Sequence, residues 1–136
     1  LALSLLTAQG DPAFSAWREA GATTLYESWH GRDSHNHPMF GSVTAVMIRR
    51  FAGIQVATGD DGPAVLIAPL FPRGLDWVDC AVNTACGPVS VRWERAGSQI
   101  SLRVCVPFSG TAALRCAGLR ETLPGGESRF TLSLPE

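Results

Sequence analysis

The sequence predicts an α+β protein in which a few helices are followed by an antiparallel β-sandwich. Apolar residues recur at helical spacing as far as Ile54, short apolar runs between turn residues follow, and one of these runs alternates strictly. The 136 residues, 46% of them hydrophobic and 17% charged, are typical of a globular chain of one ordinary domain, or of a small domain plus part of another. We therefore expect a helical part over residues 1–54 and a sandwich over residues 55–136.

Three helices are predicted in the first part. The first ends at Gly10, and the second opens with Asp11 as its N-cap and proline at its first position. The third follows Gly41-Ser42 and ends at Gly53. Residues 22–29, between the second and third helices, form a β-prone run whose alternation predicts an extended segment.

Six strands are predicted in the second part. The clearest is the run in which Val89, Val91 and Trp93 alternate with polar residues, as a half-buried strand requires. The turn Ala96-Gly97-Ser98 joins it to the next apolar run and predicts a hairpin. Strands separated by turns at this spacing favour an antiparallel sandwich. The six predicted strands are 64–68, 75–83, 88–95, 99–106, 111–117 and 128–134.

The composition excludes several classes of function. A net charge of −1 gives no electrostatic reason to expect nucleic acid or an anionic membrane as a partner. All eleven cationic side chains are arginine, which excludes Schiff-base chemistry and a P-loop lysine. The apolar run of residues 1–10 is too short to span a bilayer. We predict no cofactor.

The four cysteines show no C-x-x-C spacing, which argues against a thiolate metal site. They fit two roles: disulfides in a secreted protein, or small buried hydrophobes in a cytosolic one. The second role is favoured, because a core of this size does not need disulfides.

The loop of residues 30–40 holds all three histidines, His30, His35 and His37. His35 and His37 could be two ligands of a metal ion, with Asp33 or His30 as a third. A polar loop whose histidines bind backbone or substrate is favoured instead, because no second acidic or cysteine cluster accompanies them.

Glu27 lies between two aromatic residues, Tyr26 and Trp29. Aromatic rings stack on the apolar faces of sugars, and a carboxylate beside them can act as a general base on water. Glycoside hydrolysis needs two carboxylates, and Asp33 in the following loop is the nearest second one. The competing interpretation of Glu27 is a rim glutamate that caps a nearby helix.

These motifs, with several others, resemble bacterial α-L-rhamnosidases of glycoside hydrolase family 78. The first half resembles the end of their (α/α)6-barrel catalytic domain, and the second half their C-terminal β-sandwich. In the first half the resemblance is carried by GATTLYESW (residues 21–29), by Ser34-x-Asn36-His37-x-x-x-Gly41-Ser42-Val43 and by Arg50 to Ile54. In the second half it is carried by Ile67-x-Pro69, by Gly87 to Trp93 and by Val104-x-Val106-Pro107.

The resemblance implies an inverting hydrolysis that releases terminal α-linked L-rhamnose. Glu27 matches the general base of the family, and His37 matches a histidine that hydrogen-bonds the rhamnose hydroxyls. Trp29 matches an aromatic residue lining the pocket, and we place Tyr26 and Asn36 with these substrate-binding residues. Tyr26 stands where the family usually has tryptophan, and Ser28 replaces a commonly larger polar residue.

The resemblance also implies that the general acid lies upstream, in barrel segments outside this chain. We therefore expect the parent protein to be active on rhamnosides and this chain alone to be inactive. Apolar helix faces that would meet a missing barrel segment predict exposed residues and a homo-oligomer; they are Leu1, Leu5, Phe14, Val46 and Phe51. The alternative function is a non-catalytic carbohydrate-binding or structural sandwich.

Overall fold

A computed structural model describes residues 2–59, 62–107 and 109–135. Its contacts group the chain into two compact units, Leu1–Val46 and Met47–Glu136. The fold class is confirmed: short helices come first, and two sheets follow. The domain division predicted after Ile54 stays a prediction.

Unit 1 contains only short helices. They are α1 (Ala2–Leu6), α2 (Phe14–Glu19), a 3₁₀ helix (Pro38–Ser42) and α3 (Val43–Val46). The prediction that Asp11 caps the second helix is wrong, because the N-cap position of α2 is Ala13. The side chain of Asp11 instead lies 3.9 Å from the ring of His30.

Five aromatic side chains form the centre of unit 1. Trp17 is only 5% exposed, and its ring centroid lies within 6 Å of the centroids of the other four. Large aromatic surfaces of this kind can supply most of a small core. The five residues of this cluster, called the aromatic cluster below, are Phe14, Trp17, Tyr26, Trp29 and Phe40.

The extended strand predicted over residues 22–29 is wrong. These residues form turns and bends, with Gly21 and Gly31 in the left-handed backbone region at φ +76° and +59°. Isolated hydrogen bonds to residues 34–37 replace a regular ladder, so the alternation of the run does not sort its side chains onto two faces. Glu27 is exposed in this segment.

Unit 2 begins with a π-helix, Met47–Ala52, where an ordinary helix was predicted. Eight strands follow, and they form two four-stranded sheets in the orders β1-β2-β6-β7 and β3-β4-β5-β8. Their bounds are β1 Ile54–Gly59, β2 Gly62–Ile67, β3 Trp77–Thr84, β4 Gly87–Ala96, β5 Gln99–Val106, β6 Ala112–Cys116, β7 Leu119–Leu123 and β8 Gly126–Ser133.

The core of unit 2 lies between the two sheets. Val89, Val91 and Trp93 of β4 are fully buried, whereas Arg92 and Glu94 between and beyond them are exposed, as their alternation predicted. The predicted hairpin between β4 and β5 is also confirmed, with Ala96 paired to Gln99 across Gly97-Ser98. The apolar residues that fill the centre from both sheets include Ile54, Ile67, Leu114, Ile100 and Leu102.

All six predicted strands correspond to observed ones, and β1 and β7 are additional. β1 pairs with β2 antiparallel from Ile54↔Ile67 to Gly59↔Gly62, and Asp60 and Asp61 between the two strands lie outside the described residues. β2 and β6 pair in parallel, so the first sheet is not purely antiparallel. β7 pairs with β6 across the turn Ala117-Gly118.

The exposure predicted for five apolar residues is only partly correct. Leu5 is 63% exposed, whereas Phe14 and Val46 are half-buried, and Leu1 lies outside the described residues. For Phe51 the prediction is wrong, since its side chain is only 8% exposed.

Each of the four cysteines is a free thiol. Cys116 is buried, Cys80 and Cys105 are half-buried, and Cys86 is exposed. Burial raises the pKa of the Cys116 thiol to about 11, and burial followed by the neighbouring Asp79 carboxylate raises that of Cys80. Across the described residues, no helix combines the length and apolar character needed to cross a membrane.

Candidate active site

The predicted site residues lie on two chain segments of unit 1 that run side by side. The N–H of Glu27 donates to the carbonyl oxygen of Ser34 at 2.8 Å, and the N–H of His37 donates to that of Leu25 at 2.8 Å. The hydroxyl of Thr24 also donates to the carbonyl oxygen of His35. These bonds bring the loop holding His37 back against the segment holding Glu27.

Ser34 hydrogen-bonds both the backbone and the side chain of Glu27. Oε2 of Glu27 accepts a hydrogen bond from the N–H of Ser34 at 3.3 Å, in addition to the backbone bond between the same residues. The carboxylate is exposed, so its remaining acceptor positions are open to solvent. The described hydrogen-bond partner of the Glu27 side chain is therefore a backbone N–H in a loop. The competing interpretation, in which Glu27 caps the end of a helix, predicted a different partner.

Tyr26 and His35 form the other contact that fixes this loop. Their rings are stacked, with centroids 4.2 Å apart and planes 19° apart. Nε2 of His35 lies 2.7 Å from the carbonyl oxygen of Gly31, which closes the intervening turn. A Cβ at Gly31 would approach the Tyr26 ring to 3.1 Å, so the turn is tightly packed against that ring.

Trp29 belongs to the aromatic cluster and is held from both its ring and its backbone. Its ring centroid lies 4.7 Å from those of Trp17 and Phe40, and its carbonyl oxygen accepts a 2.9 Å hydrogen bond from Nε1 of Trp17. Trp29 remains half-buried, so part of the side chain is still accessible. The core of unit 1 thus fixes the chain two residues after Glu27.

His37 and Asn36 complete the predicted set. The backbone N–H of Asn36 donates to the hydroxyl of Ser34 at 3.2 Å, and its amide side chain is exposed. His37 is half-buried, and its Nδ1 is buried without a hydrogen-bond partner among the described residues. Buried polar atoms are nearly always paired in proteins, so this nitrogen marks His37 as an unusual position.

The structure groups the five residues only in part. Tyr26 and Trp29 line one shallow depression, whose other lining residues include Asp11, Trp17 and His30. Glu27 and His37 lie on the two segments that backbone hydrogen bonds join. Asn36 precedes His37 on the same exposed loop.

The three histidines have different surroundings, which bears on the metal alternative. His30 faces Asp11, His35 faces the carbonyl oxygen of Gly31, and His37 carries the buried nitrogen. Within the described ranges, no group of three or more His, Cys, Asp or Glu side chains is placed to hold a metal ion.

Two residues, Ser34 and His35, have structural roles at the site that the sequence did not indicate. Ser34 binds Glu27 through both of its backbone groups, and His35 supports Tyr26 rather than a metal ion. The spacing carries no signal for either role, because both depend on how the loop folds back. The position of Phe14 and Trp17 on one face of α2 was the visible sign of the aromatic cluster.

Two family profiles match this chain. The bacterial alpha-L-rhamnosidase C-terminal domain matches residues 56–131, and the bacterial alpha-L-rhamnosidase 6 hairpin glycosidase domain matches residues 1–51. The chain therefore belongs to the bacterial α-L-rhamnosidase family. Comparison with curated protein sequences gives no match.

Solved structures of α-L-rhamnosidases share the fold. The enzyme from Dictyoglumus thermophilum aligns over 96% of this chain with a TM-score of 0.83 and 24% identity. The Streptomyces avermitilis enzyme complexed with L-rhamnose aligns over 95% with a TM-score of 0.77 and 24% identity. The Aspergillus terreus enzyme aligns over 95% with a TM-score of 0.83 and 20% identity. The chain spans 18%, 16% and 17% of these three proteins, respectively.

Proposed function

We propose that this chain contributes the general base and part of the sugar-binding subsite to an inverting α-L-rhamnosidase. The observation that carries the proposal is Glu27, an exposed carboxylate that Ser34 holds by a hydrogen bond and that lies in sequence between the half-buried rings of Tyr26 and Trp29. The match of residues 1–51 to a glycosidase domain supports it, as does the complex of a structural neighbour with L-rhamnose.

In this mechanism Glu27 removes a proton from the attacking water. The hydrogen bond from Ser34 orients one carboxylate oxygen, and the other is free to accept from the water. The water attacks the anomeric carbon from the face opposite the leaving group, and the glycosidic C–O bond breaks as the general acid protonates the departing oxygen, so the configuration inverts.

His37 and Asn36 provide hydrogen bonds to the sugar hydroxyls in this proposal. Leaving the buried Nδ1 of His37 unpaired costs about 1–3 kcal/mol, which favours a partner supplied by water or by another segment of the parent protein. Tyr26 and Trp29 offer aromatic surface to the apolar face of the ring, since both remain half-buried.

The general acid is assigned to a carboxylate of the parent outside these residues. Inverting glycosidases hold their two carboxylates roughly 6.5–9.5 Å apart so that water fits between base and sugar. Asp33, the nearest other carboxylate in the chain, is exposed in a bend of the loop only six residues after Glu27. This chain alone is therefore expected to leave rhamnosides intact.

The test uses an aryl α-L-rhamnoside with both the isolated chain and the parent protein. We expect no turnover by the chain, turnover with inversion by the parent, and a loss of roughly 10²–10⁴-fold in kcat after Glu27→Gln in the parent. Asp33→Asn is the matched control and should retain activity. Robust turnover by the isolated chain that Glu27→Gln abolishes would overturn the division of labour proposed here.

A non-catalytic carbohydrate-binding sandwich is the second candidate. It is favoured by one observation, the 63% exposure of Trp77 on a polar sheet face of unit 2. If binding were the whole function, Glu27→Gln in the parent would leave every measured property unchanged, which distinguishes it from hydrolysis.

A further inference from the structure

The outer face of the sheet β3-β4-β5-β8 carries one large exposed aromatic side chain, Trp77. Alternation along β3 and β4 turns Val78 and Trp93 toward the core and leaves Trp77, Asp79 and Arg92 on the outer face. Trp77 is 63% exposed at the start of β3, an edge strand of this sheet. Burying so large an apolar surface in a complex is favourable, and tryptophan stacks well on sugar rings.

The polar groups beside Trp77 are held in fixed positions. Trp77 is paired in register with Glu94, and Asp79 with Arg92. The guanidinium of Arg92 lies 3.0 Å from Oδ2 of Asp79 and 2.5 Å from Oε1 of Glu94. Each of these three groups keeps unused hydrogen-bonding capacity, because a guanidinium has five N–H donors and a carboxylate about four acceptor sites.

The outer face also carries paired charged side chains on β5 and β8, the next two strands of the sheet. Arg92 is in register with Arg103, and Arg103 with Arg129. Both of the latter arginines pair with Glu127, at 3.5 and 2.7 Å. One shallow depression contains Trp77, Arg92 and Glu94, and a second one, which shares Arg92 and Glu94, extends to Arg129 on β8.

The charges of this face balance. The cross-strand rows of this face that contain Trp77, Asp79 and Glu127 hold three arginines and three carboxylates. The arginines are Arg92, Arg103 and Arg129, and the carboxylates are Asp79, Glu94 and Glu127. A balanced, internally paired surface gives no net attraction to polyanions such as nucleic acid or polyuronate. It does present donors and acceptors in pairs, the pattern that vicinal sugar hydroxyls match.

We propose that this face, the Trp77 platform, binds a neutral saccharide chain. One sugar ring stacks on the indole of Trp77, and hydroxyls of that ring bond to Arg92 and Glu94. The chain then follows the shared depressions across β4 and β5 toward β8. Four strands about 4.8 Å apart give a track of roughly 14 Å, enough for a short oligosaccharide.

The Trp77 platform is independent of the proposed hydrolysis. It uses residues of unit 2, whereas Glu27 and His37 belong to unit 1. Its effect would be to hold a polymeric or branched glycan close to the protein without reacting with it. Failure of one proposal therefore leaves the other standing.

The test is affinity electrophoresis of the 136-residue chain through gels containing arabinogalactan, xyloglucan or arabinoxylan, with polygalacturonate as the charged comparator. We expect at least one neutral glycan to retard the chain, and Trp77→Ala to abolish the retardation. Leu70→Ala is the matched control, because Leu70 is 53% exposed in unit 2 and lies outside the platform residues. Arg92→Met should weaken retardation at least several-fold, and Trp77→Phe should retain part of it.

Two further measurements keep the outcome clear. Circular dichroism and thermal unfolding show whether the variants fold, and the indole N–H signals of the unsubstituted chain report directly whether one tryptophan is perturbed by the retarding glycan. Retardation by none of the neutral glycans overturns the proposal, as does retardation that survives Trp77→Ala. A dimer that depends on Trp77, found without glycan binding, overturns it as well and identifies the face as an interface between copies.

Discussion

The indole Nε1 of Trp17 donates a 2.9 Å hydrogen bond to the carbonyl oxygen of Trp29, and the two rings lie 4.7 Å apart. Helix α2 is thereby linked to the backbone of Trp29, two residues after Glu27. The most buried aromatic side chain of unit 1 thus holds the backbone of the candidate site through one directional bond. Ring packing between Trp17 and Trp29 stabilises this contact, and the hydrogen bond fixes the orientation of the two residues.

Trp17→Phe removes that hydrogen bond while keeping most of the ring. We expect unit 1 to lose about 1–2 kcal/mol of stability, since the carbonyl oxygen of Trp29 is left without its donor and a smaller ring fills the site. Thermal unfolding followed by near-ultraviolet circular dichroism measures the change. Trp77→Phe is the control, because an exposed indole should be replaced with little effect. Equal effects for the two substitutions would contradict the role assigned to Trp17.

Gly53→Ala should disrupt the start of the sandwich. Gly53 has φ +77°, and an added Cβ would lie 2.1 Å from the backbone nitrogen of Pro69 and 2.4 Å from the carbonyl carbon of Ala68. Backbone cannot move aside as a flexible side chain can, and the carbonyl of Gly53 also accepts from the N–H of Ala68. We expect a loss of more than about 3 kcal/mol, or failure to fold.

Gly74→Ala is the matched control for this substitution. Gly74 has a similar φ of +83°, but an added Cβ there meets nothing within 4 Å. Only the left-handed backbone cost of roughly 1–2 kcal/mol should appear. Urea unfolding of both variants separates backbone conformation from steric contact. A Gly53 variant as stable as the Gly74 variant would show that the two segments can move apart.

Arg95→Met should loosen the connection between β2 and β3. The guanidinium of Arg95 donates to the carbonyl oxygens of Phe71 and Pro72 at 2.7 and 3.3 Å. Because the donor is charged and the contacts are partly buried, we expect a loss of about 1.5–3 kcal/mol. Hydrogen exchange of residues 70–76 and urea unfolding measure it. Arg103→Met, which removes an exposed ion pair, should stay within roughly 1 kcal/mol of the unsubstituted chain.

Cys116 makes stability depend on pH in the alkaline range. Burial raises its pKa from 9.0 to about 11, so the folded protein keeps a proton that the unfolded chain releases. The resulting stabilisation is complete below about pH 9 and is lost as the pH rises toward 11. Urea unfolding between pH 8 and 11 should show this decline, and Cys116→Ala should make it shallower. An unchanged slope in Cys116→Ala would assign the pH dependence to other groups.

The sequence was sufficient to predict those strands in which burial alternates strictly. Val89, Val91 and Trp93 can only face the core together if β4 is extended, and Gly97-Ser98 leaves no room for anything but a tight turn. β7 was missed because its residues are mostly exposed, with Leu123 alone buried. The same apolar spacing suits an α- or a π-helix, so the helix type of Met47–Ala52 was not predictable.

At the candidate site, the sequence indicated which residues matter more reliably than how they are arranged. Glu27 was singled out by its aromatic neighbours and by the family resemblance, and these do not depend on secondary structure. Its pairing with Ser34 depends on a loop that folds back, which leaves no periodic pattern in the chain. The alternation of residues 22–29 was misleading because no neighbouring strand supplies a ladder.

The parallel pairing of β2 with β6 has a consequence for the order in which the chain can fold. Residues 65–67 find their partners at 112–114, beyond the whole of the other sheet's first three strands. During synthesis one edge of β2 therefore stays unpaired until β3, β4 and β5 have been made. Long-range pairings of this kind also form slowly. A ribosome-bound or truncated chain ending before Ala112 would present that edge to other chains, so the last 25 residues of the sequence, which contain β6, protect the first sheet from aggregation.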